Sequence, residues 1–134
     1  VTLRSDLIPV VDDARELVDD LGLRPYTVAV RTRTWSGGRV GGGTASNADV
    51  TLAPRPRVRE PSPRLQAAEP GRYEAGDRVV DRISATYTEA DLDGDGLSAD
   101  KERVWLIDGD EYRVVGKPLK RNFEWRVQLR RRTR

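Results

Sequence analysis

The chain has 134 residues, enough for one domain with a modest core, and it contains neither cysteine nor histidine. That excludes a disulfide framework, a thiol nucleophile, a His-based triad and the usual zinc sites. Apolar residues make up 37% and charged residues 34%, against about 45–50% and about 25% in ordinary domains, so the core must be thin and much surface must face loops or partners.

No apolar run approaches the roughly 20 residues that span a bilayer, and no signal-peptide pattern opens the chain. A soluble protein without membrane contact is expected. The net charge of +2 hides segregation. Residues 1–22 carry six acidic and two basic groups, residues 31–64 carry seven arginines against Asp49 and Glu60, and residues 117–134 carry eight basic groups against Glu124 alone. Such a distribution suits electrostatic contact between copies or with a polyanion.

Residues 1–24 read as an acidic amphipathic helix and residues 25–134 as a β-domain. Leu7, Val10, Val11, Ala14, Leu17, Val18 and Leu21 recur every three or four positions and predict one apolar face. Asp6 is the expected N-cap, which puts Pro9 in the first turn, and Gly22 is the expected left-handed stop. The opposite face carries Asp12, Asp13, Arg15, Glu16, Asp19 and Asp20. Docking on a sheet is the favoured reading; presentation to a basic partner is the alternative.

From Tyr26 the period changes to two, which predicts a strand through Val28 and Val30. It enters the glycine-rich stretch from Trp35 to Ser46, which lacks the Gly-Lys-Ser/Thr ending of a phosphate-binding loop and reads as an excursion between strands. Residues 49–53 predict a second short strand. The proline-rich stretch Pro54 to Pro63 reads either as a ligand for aromatic-lined modules or as an arm crossing neighbouring subunits. Turns at Pro70-Gly71 and Gly76-Asp77 precede an extended run from Arg78 to Thr88. Residues 104–107 and 112–115 flank Asp108-Gly109, a hairpin signal, and Phe123, Trp125, Val127 and Leu129 alternate along a last strand. The expected fold is mainly β, a small antiparallel β-barrel or sandwich of five to six strands with long loops and one N-terminal amphipathic helix.

The segment Asp91-Leu-Asp-Gly-Asp-Gly-Leu-Ser-Ala-Asp-Lys-Glu102 matches a calcium-loop pattern, with Asp91, Asp93, Asp95 and Glu102 at positions one, three, five and twelve and Gly96 at the sharp turn. Its flanks argue against an EF-hand. Ser98 takes the place of the paired loop's apolar β-residue, the entering segment is not helical in pattern, and no second loop is present. An acidic β-connection is the preferred reading; a structural Ca²⁺ held by these four carboxylates is the alternative, and no cofactor is required. Asp91, Asp93, Asp95 and Asp100 are candidates to meet an arginine-rich surface of a neighbouring copy.

Paired carboxylates or Ser–Lys chemistry would be needed for a hydrolase, and neither has an evident context here, so no enzyme is expected. The Arg130, Arg131 and Arg132 cluster suits phosphate, whereas Phe123 and Trp125 read as core and offer no stacking platform. Non-specific contact with double-stranded DNA is compatible with this charge.

Several pieces together resemble the head-to-tail connector, or head-closure (stopper), proteins of long-tailed bacteriophages. They are the first strand with its Trp35-Ser36-Gly37-Gly38 loop, Val50 to Pro56, Gly76-Asp77-Arg78-Val79, Trp105-Leu-Ile-Asp-Gly-Asp-Glu-Tyr-Arg-Val-Val-Gly116 leading to Lys117-Pro118, and Phe123 to Arg131. The resemblance spans residues 26–129. It implies a homo-oligomeric ring, hexamer or dodecamer, between a portal or adaptor protein above and tail-terminator or tail proteins below. Such a ring occupies the head–tail junction of the virion, after assembly in the host cytoplasm, and passes double-stranded DNA. It also implies a loop that gates the channel, either Trp35 to Ser46 with Trp35 and Arg39, or Asp91 to Glu102. A tail-terminator or other neck or tail-completion protein, a calcium-binding β-module and a non-specific DNA-binding protein are the competing readings.

Overall fold

The computed structural model describes residues 3–36, 43–94 and 97–132. Its centre is the hairpin that the Asp-Gly pair dictates. β5 (Lys101–Ile107) turns into β6 (Asp110–Arg121) through Asp108 and Gly109, whose φ values of 48° and 89° give the left-handed pair that a two-residue hairpin turn requires. β7 (Glu124–Arg131) returns antiparallel to β6. β1 (Val28–Ser36) pairs with β5 and with β2 (Thr44–Thr51), while β4 (Arg78–Ser84) pairs with β7 and with β3 (Arg57–Arg59).

The result is one seven-stranded sheet in the order β2-β1-β5-β6-β7-β4-β3, with every pairing antiparallel. The expectation of five to six strands in a closed barrel or sandwich is corrected on both counts. The additional strand is β3, inside the stretch read as a ligand or an arm, where Arg57 and Arg59 pair with β4 while Pro54 and Pro56 are buried. Closure fails because β2 and β3 do not pair with each other, so the sheet is an open half-barrel.

The concave side holds the core that alternation predicts. Trp125, Val127 and Leu129 of β7 pack with Val28 and Val30 of β1, Trp105 and Ile107 of β5, Tyr112 of β6, and Val80 and Ile83 of β4. Two bulges bend the frame. Between Val80 and Ile83 the β4–β7 register shifts around Arg82 at φ 61°, and between Val115 and Leu119 the β6–β7 register shifts around Gly116 and the buried Pro118.

α1 (Leu3–Asp20) is longer than the pattern suggests. Asp6 therefore lies within the helix rather than at its cap, and Pro9 falls in the second turn. The stop is as expected: Gly22 at φ 74° donates to Asp19, and Leu23 donates to the Val18 carbonyl, the paired bonds of a Schellman ending. Two short helices were not legible in the sequence. α2 (Pro63–Ala68) begins with Ser62 as N-cap and Pro63 at its first position, and α3 (Glu89–Asp93) begins with a capping box between Thr88 and Asp91.

Candidate assembly surfaces

The two loops singled out as gates leave the sheet side by side. β1 and β5 pair Thr34 with Lys101 and Arg33 with Glu102, and the Trp35 amide donates to the Asp100 carbonyl at 2.8 Å. Trp35, at the base of the glycine-rich stretch, is half-buried, with its indole nitrogen buried and unpaired. The excursion is shorter than expected, because β1 runs to Ser36 and β2 resumes at Thr44. Arg39 lies outside the described residues, as does Asp95 of the acidic loop.

A network of charge fixes this end. Arg33 donates to Glu102 at 3.1 Å and to Glu111 at 2.6 Å, and Arg132 approaches Glu102 at 3.5 Å. The sequence-predicted cluster of three arginines is thereby divided. Arg132 joins the Glu102 network, and Arg131, mostly exposed, lies 3.6 Å from Asp110. Arg130 is committed inward: it donates to both oxygens of Asp77 at 3.1 Å and lies 3.3 Å from Glu74. With Arg113, opposite Arg130 on β6, the three line a groove of about 490 Å³ whose acidic member is Glu74.

The carboxylates of the acidic loop are largely engaged in holding its shape. Asp91 accepts from the Thr88 amide at 2.9 Å and closes the capping box, and Gly94 ends α3 at φ 73°. Between them Leu92 points into the core, fully buried, and the Trp105 indole donates to the Leu92 carbonyl at 2.8 Å. Ser98 donates to Asp100, whose pKa is lowered chiefly by that bond. Loop position one is thus turned toward its own helix and position twelve toward Arg33, and among the described residues no group of three His, Cys, Asp or Glu is arranged to hold a metal ion.

Two carboxylates form buried polar centres: Asp77, read from the sequence only as part of a turn, and Asp81, not singled out there. Burial pushes the Asp77 carboxyl up, but donation from Arg130, the Glu74 amide and Gln128 more than offsets it, so the group stays below the ordinary carboxylate range. Asp81 is the same case: burial raises it, and Arg57, bidentate at 2.8 and 2.6 Å, and Arg59 draw it below. The available signal was an aspartate at strand positions within or beside an apolar run, with arginines two residues apart on the facing strand.

α1 docks on the sheet as expected, but not by its apolar stripe. Its inward face is made of Ile8, Val11, Asp12, Arg15, Val18 and Asp19, rotated by roughly 100°, one residue's turn, from the centre of the apolar stripe. Polar anchors set this rotation. Asp12 accepts from the buried Ser84 at 2.7 Å, Arg15 donates to the Phe123 carbonyl at 2.7 Å, and Asp19 accepts from the Arg55 amide at 3.1 Å. Leu7, Val10, Ala14, Leu17 and Leu21 consequently face outward, with Leu17 60% and Leu21 66% exposed.

Comparison with family models, with curated proteins and with solved structures finds no significant match.

Proposed function

We propose that this chain is a structural subunit of a phage neck. In this reading it forms a ring between portal and tail that extends and closes the DNA channel, the head-to-tail stopper role. The observation that carries the reading is the emergence of the glycine-rich and acidic loops together, joined by the Trp35–Asp100 backbone bond. A stopper needs a gating element at one end of a rigid frame, and the joined bases of these two loops support that reading.

Other features support an assembly role over a catalytic one. The sheet is open at β2 and at β3, and β2 exposes every one of its residues. Unpaired strand edges are ordinarily covered or paired. The buried charges belong to ion pairs that hold strands together, and an exposed apolar stripe with acidic neighbours faces outward on the docked α1. A ring closed by heterologous contacts needs unlike patches of this kind on one subunit. A tail-terminator or other neck role shares these requirements and differs in position along the particle.

The test is immunogold electron microscopy of particles from the source lysate, with antibody to an exposed epitope. Label confined to the head–tail junction is expected. Absence of label from necks that have been opened, with normal binding to the purified protein, overturns the proposal.

A further inference from the structure

The outward face of α1 carries two kinds of residue in adjacent stripes. Leu7, Val10, Ala14, Leu17 and Leu21 follow a three-four spacing, the seam of a helix that packs on a partner, yet they meet none among the described residues. Beside them lie the exposed acids Asp13, Glu16 and Asp20. A second copy of α1 is a poor occupant, because pairing two such faces antiparallel brings acids against acids.

A face of the opposite kind occurs elsewhere on the same chain. Lys117, Leu119 and Arg121 occupy alternate, exposed positions of β6, and Leu119 is 48% exposed. Leu119 lies beside Tyr73 in a shallow hollow of about 60 Å³ together with Lys117, Arg126 and Arg72. The one acid there, Glu69, is paired with Arg72 at 3.1 Å, and the Arg126 Nε is buried without a hydrogen-bond partner. Lysine and arginine stems offer apolar surface to a leucine stripe while their heads reach carboxylates at its border.

We propose that α1 of one copy seats its Leu7–Leu21 stripe on the Leu119–Tyr73 surface of the next copy, with Asp13, Glu16 and Asp20 against Lys117, Arg121 and Arg126. The contact is heterologous and so propagates head to tail. This deepens the ring reading and rests on its premise that copies associate with one another. It does not depend on where in a particle the ring lies.

The chain has no cysteine, so engineered thiols report this contact without background. Leu17→Cys and Leu119→Cys single variants of the full chain, carrying tags of different mass, are mixed at high concentration and oxidised. The expected product is the mixed disulfide, in several-fold excess over either homodimer and over the Leu17→Cys pairing with Val50→Cys on β2. Asp13→Lys with Glu16→Lys on the helix copy lowers the yield several-fold, and Lys117→Glu with Arg121→Glu on the other copy restores it. Predominance of the Leu17→Cys homodimer, equal yield with Val50→Cys, or no mixed disulfide overturns the inference. Each of these results leaves the neck localisation to stand or fall on its own experiment.

Discussion

The Trp105 indole donates to the Leu92 carbonyl, and by that one bond the β5 core holds the short helix at the head of the acidic loop. Both residues are fully buried. Trp105→Phe keeps an aromatic ring but leaves that carbonyl without its donor, which costs about 1–3 kcal/mol for a buried unsatisfied group. Urea denaturation is expected to show a lower midpoint with an unchanged slope, and hydrogen exchange is expected to speed up across residues 89–93 before the central strands.

Gly94 is the second constraint on the same turn. It ends α3 at φ 73°, and a Cβ there would lie 2.8 Å from the Arg103 Cβ and 2.9 Å from the Leu97 Cδ1. Gly109, at φ 89°, has open space around it. Gly109→Ala is expected to cost about 1–2 kcal/mol from backbone conformation alone, and Gly94→Ala more. Equal losses in thermal unfolding would show that the crowding at Gly94 relaxes freely.

Asp77 makes stability depend on acid in a defined direction. Its folded pKa is depressed, so its contribution is fully present above the unfolded value of about 3.9 and is lost as pH falls through the folded value. The native protein is expected to lose stability steeply below about pH 4. Asp77→Asn is expected to be less stable at pH 7 by about 1–3 kcal/mol, because it weakens the bonds that Arg130 and Gln128 donate to the buried carboxylate and leaves Arg130 with Glu74 alone, and to show a shallower acid slope. Denaturant midpoints taken from pH 7 to pH 3 check both the offset and the slope.

The calcium pattern leads to a test with a clear sign. Asp91 is occupied by the Thr88 amide and Glu102 by Arg33. Millimolar Ca²⁺ added to chelator-treated protein is therefore expected to leave Tm unchanged, while Thr88→Ala, which removes the α3 N-cap, costs about 0.5–2 kcal/mol with or without the ion. A Ca²⁺-induced rise in Tm that Mg²⁺ does not reproduce would show that those carboxylates exchange their partners for metal.

In the proposed ring, the exposed charge of the acidic loop would act at a subunit contact. Asp100→Lys is expected to lower the oligomeric fraction in sedimentation while shifting Tm only slightly, since Asp100 is exposed and substitutions at such surface positions usually contribute within about 0.5 kcal/mol. Unchanged ring formation at physiological salt would remove the acidic loop from the subunit contact.

The sequence made the sheet legible where local chemistry and tertiary contact agree. Asp108-Gly109 forms its hairpin, and Trp125, Val127 and Leu129 of β7 are buried as expected, because these positions answer to turn conformation and to one buried side; Gln128 departs from the alternation by turning in to Asp77, and Phe123 falls in the turn before the strand. Elsewhere contact decided. Arg57–Arg59 became a strand through Asp81, a partner more than 20 positions away, against a proline-rich background that argues for an unpaired arm. α1 was legible as a helix, but its rotation was not, since Ser84, Phe123 and Arg55 select it from across the chain. Leu92 was hidden by its neighbours: one leucine among aspartates reads as loop until a core indole is found facing it. The candidate gate loops were legible from composition, and their adjacency was not, because it depends on β1 pairing with β5.

The buried carboxylates held low by arginine have one more consequence. In a chain without histidine or cysteine, Asp77 and Asp81 were the groups that burial alone could have carried toward neutrality, and their guanidinium partners keep them ionised. Both ion pairs therefore persist across about pH 5 to pH 8, and the ties they make, Asp81 to β3 and Asp77 to β7, hold however the acidity changes within that range.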